Sequence, residues 1–248
     1  MTGYLEVFES GEHLVRAAVD RIARNLHEAT ERRGIASIVL SGGTTPRSIY
    51  ELLAMPDYSR RVDWSRVHFF WGDERCVPRF SPESNFRMAS EALLSKIAVP
   101  EQNVHHIFTD LPANEAAARY EDEIRALFKL DEAQWPEFDV FLLGLGEDGH
   151  TASIFPDSHA LNETRRLFID VYVEKLQSHR ITVTLPVINN AMHVIFIVSG
   201  KSKSLILHKV LETSVIQYPA HLVDPRSRDL CWMVDADAAS HLETARRQ

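Results

Sequence analysis

The chain has 248 residues, 45% hydrophobic and 25% charged, with a formal net charge of −8 at neutral pH; this suits one large globular domain. The acidic balance excludes a general nucleic-acid binder, which needs a basic face, so an anionic ligand must be drawn in by local Arg and Lys. Two cysteines without metal-ligand spacing point to a reducing compartment, no apolar run nears a membrane span, and the N-terminus lacks the basic and apolar regions of a signal peptide, so the expectation is a cytoplasmic protein.

In chain order, Leu14, Val15, Ala18, Val19, Ile22, Ala23 and Leu26 form a helical stripe within residues 10–33, stopped by Gly34. Ile35 to Leu40 reads as a buried strand. It runs into Ser41-Gly42-Gly43-Thr44-Thr45-Pro46, where Thr45 is expected to cap a helix carrying Ile49, Leu52 and Leu53 on its inner face. Two glycines and two hydroxyls before a helix N-terminus make a phosphate cradle, and an ordinary glycine turn with a capped helix is the alternative. The Gly-Lys-[Ser/Thr] ending of a nucleotide P-loop is absent.

A second strand, Val67 to Trp71, ends in Gly72-Asp73-Glu74-Arg75, a charge run read as outside the core. It is either a solvated loop or an anion site in which Arg75 is held by Asp73 or Glu74. Asn85 either caps the helix expected over Asn85 to Ile97 or offers its amide to ligand hydroxyls. Ala113 to Phe128 is a further helix, and Asp139 to Leu143 a further strand. His105, His106 and His208 have no acid or glycine turn beside them in sequence and receive no role.

The strand at Asp139–Leu143 leads into Gly144-Leu145-Gly146-Glu147-Asp148-Gly149-His150, a turn that brings a carboxylate and an imidazole to one strand end. The same letters spell a dinucleotide fingerprint, with Asp170 downstream as the ribose acid. Against that reading, Pro156 falls seven residues after Gly149, no apolar helical period follows, and Asp148 would oppose a pyrophosphate. His150 is the best candidate general base, with Asp148 to orient it, and a loop histidine without chemistry is the alternative. Strands are expected at Phe168–Val173, Arg180–Leu185, His193–Val198 and Leu230–Met233, with a helix over Ser202–Leu211. Arg180, Lys201 and Lys203 stand at strand ends as possible phosphate partners or as solvated cations. The alternation of strands and helices predicts an α/β fold with a mostly parallel sheet and helices on both faces, and no linker divides residues 1–248, so one domain is expected.

Taken in order, Ser41–Pro46, Gly72–Arg75, Ser84-Asn85-Phe86, Gly144–Pro156 and Gly200-Lys201-Ser202-Lys203 resemble the motifs of the glucosamine-6-phosphate isomerase/6-phosphogluconolactonase family, and of its lactonase branch in particular. The resemblance implies a Rossmann-like sheet and hydrolysis of 6-phospho-D-glucono-1,5-lactone in the pentose phosphate pathway, with no cofactor and no metal. It assigns His150, Asp148 and Arg75 to catalysis. Gly42, Gly43, Thr44, Thr45, Asp73, Asn85, Arg180 and Lys203 are assigned to substrate binding. The expected partner is a small sugar-phosphate lactone, not nucleic acid or membrane, and the expected state is a monomer, with a homodimer as the alternative. The stretch Val173-Glu174-Lys175-Leu176-Gln177-Ser178-His179 departs from the proline-rich run often found there. An isomerase of the same family is the rival. That branch typically has Asp-Glu-Tyr where this chain has Asp73-Glu74-Arg75, and Ile-Ala-Phe-Asn-Glu-Pro where this chain has Thr151-Ala152-Ser153-Ile154-Phe155-Pro156. A non-catalytic sugar-phosphate sensor is the rival from another class.

Overall fold

A computed structural model describes residues 3–213, 217–227 and 229–243. The first strand, β1 (Tyr4–Phe8), is followed by α1 (Gly11–Arg33), which the side chain of Ser10 caps by accepting the His13 N–H. Gly34 ends the helix in the left-handed region (φ 81°), donating its N–H to the Thr30 carbonyl, a conformation glycine adopts without a Cβ penalty. The expected apolar stripe is the buried face of this helix, from Leu14 through Leu26. Next come β2 (Ala36–Leu40), α2 (Thr44–Leu53), α3 (Pro56–Ser59), β3 (Val67–Trp71) and β4 (Asp73–Arg75). The chain continues through α4 (Asn85–Ala92), α5 (Ala113–Phe128), β5 (Val140–Leu143), β6 (Phe168–Val173), β7 (Ser178–Val183) and α6 (Leu185–Ile188). It ends with β8 (His193–Val198), α7 (Ser204–Glu212) and β9 (Leu230–Asp235).

Six strands make one sheet in the order β1-β9-β8-β5-β2-β3, every neighbouring pair parallel. Its central strands are apolar along their length because helices flank the sheet: β2 (Ala-Ser-Ile-Val-Leu) and β5 (Val-Phe-Leu-Leu) are buried at every position. From β2 the chain moves outward to β3 on one side, then returns to β5 on the other. The loops leaving β2 and β5 therefore diverge and open a crevice at the carboxyl edge, where open α/β sheets bind ligands.

The charge run after β3 is not a loop. Asp73–Arg75 is β4, which joins β7 and β6 in a separate antiparallel sheet, order β4-β7-β6. Gly72 is the pivot between the two sheets, its N–H bonded to the Leu40 carbonyl and its carbonyl accepting the Val183 N–H. Other expectations shift at their edges. The strand expected at Arg180–Leu185 spans Ser178–Val183, because Leu185-Pro186 opens α6. The helix expected over Asn85–Ile97 is α4 plus a 3-10 turn over Leu94–Lys96, and that expected over Ser202–Leu211 is a 3-10 turn over Lys201–Lys203 followed by α7. Among the described residues, no helix is long and apolar enough to cross a membrane.

Candidate active site

A cleft of about 700 Å³ opens at the carboxyl edge of the large sheet. All eleven residues singled out above as catalytic or substrate-binding line it. They arrive on three connections, those after β2, β5 and β8, on the two strands β4 and β7, and, with Asn85, at the start of α4.

The loop after β2 is fixed from below by Tyr50, whose buried hydroxyl donates to the Ser41 carbonyl and accepts the Ser41 N–H, both at 2.9 Å. Helix α2 starts at Thr44, so Gly43 (φ 111°) holds the cap position that Thr45 was expected to fill, and no side chain caps the helix. The start of α2 lines the cleft and, among the described residues, no side chain caps it, which favours an anion there. Gly42 is required for a different reason: a Cβ at this position would lie 2.1 Å from Oδ1 of Asn85.

Asn85 does not cap α4; Ser84 does, accepting the Arg87 N–H. The Asn85 amide donates instead to the Asp73 carbonyl at 3.0 Å. Asp73 also accepts the Ser153 hydroxyl at 2.6 Å, which ties β4 to the loop after β5. Glu74, expected outside the core with its charged neighbours, is only 2% exposed. Its carboxylate accepts the N–H groups of Arg75, Asn85 and Phe86 at 2.7–2.8 Å and the Ser84 hydroxyl at 3.1 Å. Burial raises the Glu74 carboxyl above its ordinary range, and the three N–H donors act in the opposite sense. Glu74 therefore joins β4 to the start of α4 rather than meeting ligand.

In the β4–β7 ladder Arg75 lies directly opposite Arg180. Burial, and after it the neighbouring Arg75, lowers Arg180 from its ordinary value. Arg75 donates to the Glu83 carbonyl at 2.5 Å. Among the described residues neither arginine forms an ion pair, and nor does Lys203. Lys203 is carried by the turn at Gly200, whose N–H donates to the buried Asp235 carboxylate at 3.1 Å.

The loop after β5 carries His150 and Asp148. The Gly146 N–H donates to the His150 carbonyl (2.8 Å), the Gly149 N–H to the Gly146 carbonyl (2.9 Å), and the Thr151 hydroxyl to the Gly144 carbonyl (3.0 Å). Gly149 adopts φ 80°, and a Cβ on Gly146 would lie 2.0 Å from His150 Nδ1. The imidazole Nδ1 is 2.5 Å from Asp148 Oδ1, and its ring lies against Phe155 with centroids 4.2 Å apart. The second Asp148 oxygen, Oδ2, accepts from the Lys175 amine, which sits 4.7 Å from the centre of the Phe155 ring. Partial burial alone would raise the Asp148 carboxyl; the Lys175 and His150 hydrogen bonds outweigh it and hold the group at about 2. No helix follows this turn as a dinucleotide fingerprint requires: Ala152 and Asp157 take positive φ, and the next regular element is a 3-10 turn over His159–Asn162.

Sequence reasoning missed Lys175, Ser153 and Phe155 as cleft residues. Lys175 lay in the atypical stretch, a signal that the wall there is built differently. Two histidines set aside for want of an acid do have one: His105 bonds Glu123 at 2.6 Å and His208 bonds Glu212 at 2.9 Å, neither in the cleft. Cys76, beside Arg75, has its thiol pushed by burial up to about 11, away from the thiolate that a reactive cysteine needs.

Fold and cleft define an α/β protein with an acid–imidazole pair and unpaired cations at the carboxyl edge of a parallel sheet. Residues 9–232 match the family model described as glucosamine-6-phosphate isomerases/6-phosphogluconolactonase. A protein of Synechocystis sp. named 6-phosphogluconolactonase is 38% identical over 245 residues, covering 98% of this chain and 99% of the relative. One of the same name from Nostoc sp. is 38% identical, covering 96% and 98%. The solved structure of 6-phosphogluconolactonase from Trypanosoma cruzi superposes with a TM-score of 0.87 at 32% identity, covering 97% of each chain. The chain belongs to the glucosamine-6-phosphate isomerase/6-phosphogluconolactonase family.

Proposed function

We propose that this protein is a lactonase that hydrolyses 6-phospho-D-glucono-1,5-lactone to 6-phospho-D-gluconate in the pentose phosphate pathway. The observation that carries the chemistry is the 2.5 Å His150–Asp148 pair in a cleft that also holds Arg75, Arg180 and Lys203, which form no ion pair among the described residues. The phosphate meets the uncapped N-terminus of α2, the Gly42-Gly43-Thr44-Thr45 loop, Arg180 and Lys203, while Asp73 and Asn85 face the sugar hydroxyls. With phosphate fixed, the lactone carbon is placed against a water at His150.

Asp148, held at about 2, is ionised at neutral pH and accepts a hydrogen bond from Nδ1–H, which leaves the lone pair on Nε2 as the base. Nε2 takes a proton from water as its oxygen bonds the lactone carbon, and Asp148 stabilises the imidazolium. Arg75, with nearby backbone N–H groups, stabilises the negative oxygen that forms. The bond from carbon to ring oxygen then breaks, and the ring oxygen takes the proton back from His150. Arg75 is also the feature that favours the lactonase over the isomerase branch. One chain supplies every residue named, which supports a monomer.

The test is hydrolysis of freshly generated 6-phosphogluconolactone, with the spontaneous rate subtracted, by wild type and His150→Ala. Loss of a general base costs roughly a hundred- to ten-thousandfold in turnover. Undiminished turnover in the variant would remove His150 from the mechanism. A wild type that is inactive on the lactone but acts on glucosamine 6-phosphate would move the protein to the isomerase branch, and binding without turnover to a sensor.

A further inference from the structure

The tip of the β6–β7 hairpin reaches the acid–imidazole pair through one side chain. A 3-10 turn over Glu174–Leu176, closed by Gln177 at φ 45°, presents Lys175 to the cleft. Its amine bonds Oδ2 of Asp148, while Oδ1 of the same carboxylate serves His150. The amine also rests on the face of Phe155, the ring that packs on His150. Lys175, Asp148, His150 and Phe155 thus close a ring of contacts in which each touches the next. An exposed lysine–carboxylate pair by itself contributes little to stability. This one differs in its carboxylate, whose other oxygen is committed to the imidazole, so the amine fixes the direction of both.

Resting on the reading of His150 as the base, we propose that Lys175 is a positioning residue that acts through Asp148: it holds the carboxylate against the imidazole and, as a neighbouring positive charge, sets the acidic limb of activity. The other charged groups that line the same cleft are Glu147 on the loop of His150, Asp73 and Arg75 on β4, Arg180 on β7, and Lys203 after β8. Behind the turn, Tyr218 packs against Gly149, with His221 stacked on its ring. Among the described residues, Lys175 is the only group besides His150 to form an ion pair with the Asp148 carboxylate. Without it the negative charge of Asp148 acts wholly on the imidazole and favours its cationic form, so the acidic limb of activity moves upward.

The experiment is the pH profile of kcat/KM on 6-phosphogluconolactone for wild type, Lys175→Met, Lys175→Arg and His150→Ala. Lys175→Met is expected to move the acidic limb upward by roughly half a pH unit or more and to lower kcat roughly ten- to a hundredfold through lost alignment. Lys175→Arg, which keeps the charge and a donor, restores the limb. A Lys175→Met enzyme with the wild-type limb, whatever its kcat, overturns the proposal, because a merely structural contact would not move that limb. The His150→Ala arm separates the two readings: if its turnover is undiminished the base assignment has failed, and if its turnover is lost while the Lys175→Met limb stays put, only the role of Lys175 has.

Discussion

A single methyl group tests how the catalytic turn is held. Gly146 does not need a left-handed backbone, so alanine is conformationally permitted there, unlike at Gly149. What alanine cannot do is coexist with the imidazole, since its Cβ would lie 2.0 Å from the nitrogen that bonds Asp148. Gly146→Ala is expected to lower kcat roughly a hundredfold, the scale of an ångström's misplacement, while circular dichroism stays that of the parent. Full activity in that variant would show that the ring is not held where the turn places it. The glycines and the acid–imidazole spacing of this turn were legible in the sequence, because sequence neighbours make it. Glu74 was not: its carboxylate is buried by Ser84, Asn85 and Phe86, ten to twelve residues away, as well as by its own neighbour's N–H. A charge run shows charges and hides partners supplied by tertiary packing.

At the scale of elements, the same division holds. β3, α5, β6 and β8 fall on the expected residues because each is a long or strongly apolar run. β4 has no such pattern; three charged residues become a strand only because β7 offers a ladder. β1 was missed as well, a five-residue strand with no fully buried position. The phosphate reading belongs to two elements together, the start of α2 and the turn leading into α7. Lys203→Met is expected to raise KM roughly tenfold or more, about the 1.5–3 kcal/mol of a charge-assisted hydrogen bond, with kcat nearly kept. A fall in kcat at constant KM would place Lys203 on the reacting atoms instead. On the edge strand, His68 of β3 shares a hydrogen bond with His105 at 3.0 Å. Burial, then the His105 charge, lowers His68 from 6.5. The unfolded chain therefore takes up the proton first, so this contribution to stability is full above about 6.5 and is lost as pH falls through the depressed folded value. Melting temperatures between pH 7 and pH 5 should fall less steeply in His68→Gln than in wild type, and identical slopes would refute this.

For the whole molecule, we propose that the two sheets are one domain. Buried residues of both, among them Phe69 and Val140 in the large sheet and Phe168 and Ile181 in the small one, belong to one contiguous core, and Gly72 bonds to each sheet. Tryptophan fluorescence and far-ultraviolet dichroism should then report one coincident unfolding transition. Two separated transitions would make the antiparallel sheet an independent unit.

The opposed arginines of β4 and β7 give the unliganded protein a built-in self-opposition. Like charges set directly across a ladder weaken it, and this pair is part of the joint between the strand that leaves the large sheet and the hairpin whose tip carries Lys175. The ladder is thus weakened at the spot where an anion is proposed to bind, and on that reading ligand would stabilise the fold as well as occupy it. Arg180→Met should therefore melt higher than wild type in buffer alone, yet gain less from added inorganic phosphate. A wild type indifferent to phosphate would mean that the two guanidinium groups are already reconciled by water.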